Sequence, residues 1–190
     1  MIRLFAAIAI PPEIGEGLVR RQQGLPGASW RPTDAFHITL RFAGEIAESV
    51  ADDLDAELGV ISGEALTLTL EGVGSFQDGD DIHAVWAGVG DNAALRRLAA
   101  RCESAARRAG LAPDKRVWRP HVTLAYLRRA DPGRVAAWIQ GHNLLKSPPF
   151  QVTSFGLYSS HLGDAGAIYR LEREYPLTSS RRSPSAPPAA

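Results

Sequence analysis

Cysteine and methionine are nearly absent from this 190-residue sequence, which has one of each. The lone thiol, Cys102, has no partner for an intramolecular disulfide, which excludes a disulfide-stapled scaffold and leads us to expect a reducing, cytoplasmic setting. Net charge is missing as well, because 21 basic and 21 acidic residues cancel. With no global positive field to grip a long polyanion, any contact with nucleic acid must be local. Long apolar runs are also lacking. The apolar stretch in residues 1–10 is short and meets Pro11-Pro12 at once, so it reads as a buried strand rather than a signal peptide. No later stretch approaches the ~20 apolar residues of a membrane helix, and no membrane partner is expected.

Metal-ligand spacings are equally scarce. There is no His-x-x-x-His or Cys-x-x-Cys, and His83, His142 and His161 are expected in a strand, at a helix end and in a loop. The acidic cluster Asp78, Asp80 and Asp81 lacks the closing glutamate of a calcium loop and reads as a solvated turn. Gly72-Val73-Gly74 has neither the lysine nor the following helix of a phosphate loop and reads as a strand end. Neither a metal nor any other cofactor is expected.

What is present is an ordinary globular composition, 45% apolar and 22% charged, in a chain of a size to form one domain of two packed lobes over residues 1–177. Pro11-Pro12-Glu13 opens a helix expected to reach residue 23, and residues 36–42 alternate as a strand. A helix is expected over 47–61. Strands over 66–73 and 82–89 flank turn material at 77–81 and predict a hairpin. Asp91 is the expected N-cap of a long helix with Leu95, Leu98, Ala99 and Cys102 on its buried face and Gly110 as its stop. A strand over 117–127, a helix from Asp131-Pro132 to about 140, and strands over 150–159 and 167–174 complete the pattern. Residues 178–190, rich in Ser, Pro, Arg and Ala, predict a disordered tail. Without strict strand-helix-strand alternation the class is antiparallel-rich α+β. An apolar strand, a helix, a Pro-containing loop and a His-x-Thr strand occur in 2–42 and again in 82–126, which predicts two similar lobes.

Two motifs carry the chemistry: His37-Ile38-Thr39-Leu40-Arg41 and, 84 positions later, His121-Val122-Thr123-Leu124. Side chains alternate along a strand, so His37, Thr39 and Arg41 share one face and Phe36, Ile38, Leu40 and Phe42 the other. By the same rule Arg119, His121 and Thr123 face together, away from Trp118, Pro120, Val122 and Leu124. Two imidazoles can work as an acid-base pair near neutrality, one ring neutral and one protonated. Threonine hydroxyls and arginine forks suit the oxygens of a phosphoryl group. Opening a cyclic phosphodiester with water needs such a set: one group to take the water's proton, one to protonate the departing oxygen, and donors for the developing oxyanion. Phe5 and Trp30 are as readily core residues as stacking surfaces, and we leave them outside the site.

These residues resemble the bacterial and archaeal RNA 2′,3′-cyclic phosphodiesterases, also called 2′-5′ RNA ligases, of the two-histidine phosphoesterase superfamily. The resemblance rests on Arg3-Leu4-Phe5-Ala6-Ala7-Ile8, on Trp30-Arg31-Pro32, on His37 through Glu45, on Val85-Trp86-Ala87-Gly88-Val89, on Arg119-Pro120-His121-Val122-Thr123-Leu124-Ala125 and on Phe155-Gly156-Leu157-Tyr158-Ser159-Ser160. It implies a bilobal, pseudo-two-fold fold with a cleft between two antiparallel sheets. It also implies metal-independent hydrolysis of RNA ends bearing a 2′,3′-cyclic phosphate to 2′-phosphomonoesters, with reversible 2′-5′ ligation as a second capacity. His37 resembles the proton donor and His121 the acceptor, Thr39 and Thr123 complete the catalytic set, and Arg41 and Arg119 are the expected phosphate ligands of a monomeric enzyme. Tyr126 is a departure, since relatives often carry a basic residue there, and alternation places it off the cleft face. Three other readings stay open: a phosphodiesterase for a small cyclic nucleotide, a catalytically silent RNA-binding module, and a metallohydrolase.

Overall fold

The computed structural model describes residues 1–163 and 166–178. In chain order it contains β1 (Ile2–Ala9), α1 (Pro12–Val19), β2 (Ser29–Trp30), a 3-10 turn (Thr33–Ala35), β3 (His37–Ile46), α2 (Glu48–Gly59), β4 (Leu66–Leu68) and β5 (Leu70–Asp78). These are followed by β6 (Asp81–Val89), α3 (Ala93–Arg108), β7 (His121–Tyr126), α4 (Pro132–His142), β8 (Phe150–Val152), β9 (Ser154–Gly163) and β10 (Gly166–Pro176). The long strands form one sheet in the order β10-β9-β1-β3-β7-β6-β5 with β2 added to β7, while β4 and β8 pair separately. Every strand pairing is antiparallel, as the α+β class required. No helix is long and apolar enough to cross a membrane among the described residues.

The chain folds as two copies of one unit, and each copy lends its last strand to the other. β1 to β5 and β6 to β9 both run strand, helix, strand, helix, short strand, long strand. β5 leaves its own half to pair with β6, and β9 leaves its half to pair with β1. The echo expected over 2–42 and 82–126 therefore continues further: α2, β4 and β5 open at 48, 66 and 70, and α4, β8 and β9 at 132, 150 and 154, the same spacing that separates the two histidine motifs. The two expected sheets are continuous through a single registered pair, Ile38 opposite Val122. Both side chains are fully buried.

Local chemistry explains the helix ends. α3 buries Leu95, Leu98, Ala99, Cys102, Ala105 and Ala106 on one face, and Gly110 stops it with a φ of +87° that side-chain-bearing residues resist. Its cap is Asn92 rather than Asp91: the Asn92 side chain accepts from the Leu95 amide at 2.9 Å, while Asp91 pairs with Arg96. In α4 the expected cap holds, with the Arg134 amide donating to Asp131 at 2.8 Å. α1 ends at Val19 instead of residue 23, because the Arg21 and Gln22 amides turn back to Leu18 and Val19 in three-residue bonds.

Other boundaries were set by distant partners. The expected strand 66–73 is broken at Thr69: β4 pairs with β8, and the partner of β6 is β5, which runs on to a tight turn after Asp78. Gly72-Val73-Gly74 thus lies inside β5, and His161 lies in β9 rather than a loop. β7 begins only at His121, since residues 117–120 have no ladder and Pro120 has no amide to offer one. Thr178 is anchored by its amide to the Gly63 carbonyl at 2.8 Å; residues 179–190 of the expected tail lie outside the described residues.

Because the Ile38–Val122 pair alone joins β3 to β7, where the two sheets meet, a cavity there should be felt on both sides of the seam. We expect Ile38→Ala to lower unfolding free energy by about 2–5 kcal/mol and Ile38→Val by only about 0.5–1.5 kcal/mol. Urea denaturation followed by circular dichroism measures both, and equal losses would show that the pair is not the critical seam.

Candidate active site

The antiparallel Ile38–Val122 pair joins the middle residues of the two motifs. Antiparallel register then sets His37 toward Thr123 and Thr39 toward His121, on the face opposite the buried Ile38 and Val122. Beyond that pair the ladder stops, and the strands open around the four side chains, all of them half-buried. This register brings the four residues to one face of adjoining strands, the arrangement that alternation predicted.

Both histidines are held in the same way. His37 Nδ1 lies 2.8 Å from the Ala35 carbonyl and His121 Nδ1 lies 2.7 Å from the Arg119 carbonyl. A carbonyl can only accept, so each Nδ1 carries its proton and each Nε2 is left to work. Aromatic rings fix the imidazole planes: Phe5 at 4.9 Å and Tyr169 edge-on at 4.9 Å beside His37, and Phe76 edge-on at 4.7 Å with Trp86 at 6.2 Å beside His121. Trp86 can lie where it does because residue 74 is glycine, and a Cβ there would overlap the indole.

Electrostatics favour the neutral form of both rings. Burial lowers the His37 pKa from 6.5 to about 4, against the opposing pull of the Ala35 carbonyl, with His121 and Arg31 lowering it further. His121 is also lowered, first by burial and then by the charge of Arg119, with its carbonyl partner opposing. The Tyr169 phenol is pushed up by burial and by its neighbour Tyr126. Cys102, buried beneath α3, is pushed up to about 12 by desolvation and holds no reactive thiolate at neutral pH.

Strict alternation fails after each motif, for one shared reason. Ala6 and Ala7 of β1 face Arg41 and Thr39, which leaves Leu40 as an extra residue; Val85 and Trp86 of β6 face Ala125 and Thr123, which leaves Leu124 as its equivalent. Such a bulge turns the residues that follow to the other face. Arg41 is therefore carried away from the cleft: its Nε faces Glu103 of α3 at 2.5 Å, its Nη2 donates to the Ala112 carbonyl at 2.5 Å, and its Nη1 donates to the Phe42 carbonyl. Phe42, expected in the core, pairs with Phe5 on the cleft side. Tyr126, expected off the cleft, is returned to it and lies beside the guanidinium of Arg31. Arg119 does stay near its histidine, exposed, with its guanidinium 5.9 Å from the Trp86 ring.

His83 stacks on Phe76, and His142 is stacked on Trp138 and bonded to its carbonyl, so neither joins the pair. Trp30 packs against Trp138 as a core residue would. Phe5, which the sequence left undecided between core and stacking roles, packs on His37 while buried. Sequence reasoning did not assign Arg31, Tyr169 or Phe76, which reach the histidines through long-range packing; Arg31 stood only in the Trp30-Arg31-Pro32 resemblance.

This geometry agrees with what comparison with known proteins shows. The sequence matches the 2′-5′ RNA ligase superfamily over residues 10–164. A protein of Aeropyrum pernix named RNA 2′,3′-cyclic phosphodiesterase is 35% identical over 149 residues, covering 77% of this chain and 85% of its own. An Escherichia coli protein of the same name is 32% identical over 180 residues, covering 93% and 97%. The crystal structure of Escherichia coli LigT complexed with 3′-AMP superposes with a TM-score of 0.75 at 30% identity, over 94% of this chain and 99% of that one.

The electrostatics generate two checks. In ¹⁵N-resolved NMR spectra of the free protein, the His37 ring should keep a protonated Nδ1 and a bare Nε2 down to a midpoint near pH 4; a midpoint near 6.5 would contradict the desolvation. Because the folded protein binds this proton less tightly than the unfolded chain, the stability due to neutral His37 is complete above pH 6.5 and is lost as pH falls toward 4. A His37→Asn protein should therefore lose less stability than wild type between pH 7 and 4.

Proposed function

The chain belongs to the 2′-5′ RNA ligase superfamily, and from that premise we propose that it opens 2′,3′-cyclic phosphates at RNA ends, using His37 and His121 as its acid-base pair. The observation that carries this reading is the pair itself: two imidazoles, each with Nδ1 tied to the carbonyl two residues before it, presenting Nε2 from opposite strands.

In the proposed reaction His121 Nε2 takes a proton from water as the water oxygen bonds to phosphorus. The P–O3′ bond breaks, and His37 Nε2 delivers a proton to O3′, leaving a 2′-phosphomonoester and a free 3′-hydroxyl. The hydroxyls of Thr39 and Thr123 donate to the non-bridging oxygens as their charge grows, and Arg119 adds positive potential on the His121 side. Since burial holds His37 neutral in the empty cleft, its donor role requires the bound anion to raise its proton affinity. With a 5′-hydroxyl in place of water as the nucleophile, the same ring-opening would join RNA ends through a 2′-5′ bond, and its reverse would regenerate the cyclic phosphate.

Metal independence is proposed on the donor set, since the described residues hold no group of three or more His, Cys, Asp or Glu able to bind a metal ion. One copy carries both motifs, which supports a monomeric unit of residues 1–177. The buried single thiol fits a cytoplasmic setting.

The test is to incubate the protein in excess EDTA with an oligoribonucleotide ending in a 2′,3′-cyclic phosphate and to identify the product terminus by mass and phosphatase sensitivity. We expect a 2′-phosphate, a bell-shaped pH profile, and losses of about 10²–10⁴-fold or more in His37→Ala and His121→Ala. Undiminished turnover in either variant, or a requirement for metal, would defeat the mechanism.

A further inference from the structure

Arg31 is the one charged residue that is fully buried among the described residues, at 6% exposure. No carboxylate lies within ion-pair distance of it among those residues. Its guanidinium, with five N–H donors, makes a single hydrogen bond among the described residues, from Nη2 to the Ala167 carbonyl at 3.0 Å. Two aromatic faces support the rest of it, Tyr169 at 5.3 Å and Tyr126 at 5.8 Å. Tyrosine faces attract a guanidinium but do not neutralise it. A buried cation left without a counter-ion is costly, and folds retain one where something else supplies the opposite charge.

The position of this cation identifies what supplies it. The Arg31 amide donates to the Leu124 carbonyl at 2.8 Å, and Gln22 Nε2 donates to the Arg31 carbonyl at 2.7 Å, so its backbone is pinned beside the second motif. Its side chain reaches the first, since Tyr169, which carries the guanidinium, also packs edge-on against His37. The charge of Arg31 is close enough to make His37 harder to protonate. Of the two arginines expected to meet phosphate, Arg41 is committed to Glu103 and Arg119 is exposed. Of these three arginines, only Arg31 is both buried and without a carboxylate partner among the described residues.

We propose that Arg31 is the principal phosphate-binding residue of the cleft, its free N–H groups taking the non-bridging oxygens of the substrate phosphate beside His37, with Tyr126 and Tyr169 as its supports. This deepens the phosphodiesterase reading and rests on it for the identity of the substrate. The bound anion both compensates Arg31 and restores proton affinity to His37, so binding and arming of the acid are one event. The fork geometry of arginine matters because charge on the phosphoryl oxygens grows toward the transition state, where two parallel donors act most strongly.

The experiment compares wild type with Arg31→Met, Arg31→Lys and an exposed control on α3, Arg107→Met, measuring turnover of the cyclic-phosphate oligonucleotide and binding of inorganic phosphate and adenosine 2′-monophosphate. We expect Arg31→Met to lose about 10²–10³-fold in kcat/KM, with a fall in kcat as well as a rise in KM, and to lose phosphate binding. Arg31→Lys should recover only part, and Arg107→Met should match wild type. A folded Arg31→Met protein with phosphate affinity and turnover within about threefold of wild type would overturn the proposal. Should Arg31→Met not fold, the Arg31 Nε–H resonance of wild type decides: a shift that saturates with phosphate supports the assignment, and no shift overturns it. The binding arm needs no turnover. A protein inactive on RNA whose phosphate binding still depends on Arg31 would refute the RNA reading and leave this site standing.

Discussion

A single apolar cross-strand contact, Ile38 against Val122, is the constraint on which the rest of the structure depends. It is the single registered pair between β3 and β7, and it lies at the midpoint of both motifs. Burying two branched side chains there contributes about 1.5–3 kcal/mol each. Its geometric effect is larger than its energy, because antiparallel register at that point turns two separate tripeptides into one four-residue cleft. A slip of one residue would send every histidine and threonine of one strand to the wrong face.

Around that seam the two halves are locked by exchange. β5 and β9 each complete the sheet of the other half, and β4 pairs with β8 behind them, so neither half has a full set of strand partners alone. Repetition also explains why the same devices recur on both sides: a carbonyl two residues before each histidine, a bulge at the leucine after each threonine, and aromatic rings against each imidazole.

Charge breaks this symmetry. Both imidazoles are kept neutral by burial, yet the guanidinium beside His37 is enclosed whereas the one beside His121 is exposed. The two rings, both harder to protonate than free histidine, thus stand beside fixed positive charge. An anion there meets fixed donors that need little rearrangement, the condition under which electrostatic stabilisation of a developing charge is most effective. Its negative charge also opposes the terms that suppress protonation of His37. The same neutral net charge that rules out a broad nucleic-acid surface is compatible with a strong local field in a small cleft.

Residue type and short-range periodicity determined a good deal: the α+β class, the long amphipathic α3 with its glycine stop, the Asp131 cap, the repeat, and the convergence of His37, Thr39, His121 and Thr123. All of these follow from rules that operate within a few residues, or from one motif written twice. The misplaced residues share a different cause. Arg41, Phe42 and Tyr126 were assigned faces by counting in twos, and a bulge, which exists only in relation to a partner strand, undid the count. The break at Thr69 arose because β8 and β6 compete for the adjoining segments, and no local pattern reveals that competition. Arg31 and Tyr169, 138 positions apart, meet only because β10 and β2 belong to the same folded sheet. The sequence alone determined that two His-x-Thr motifs would meet; tertiary structure decided which cation would stand beside them, because burial and charge pairing are properties of the whole packed chain.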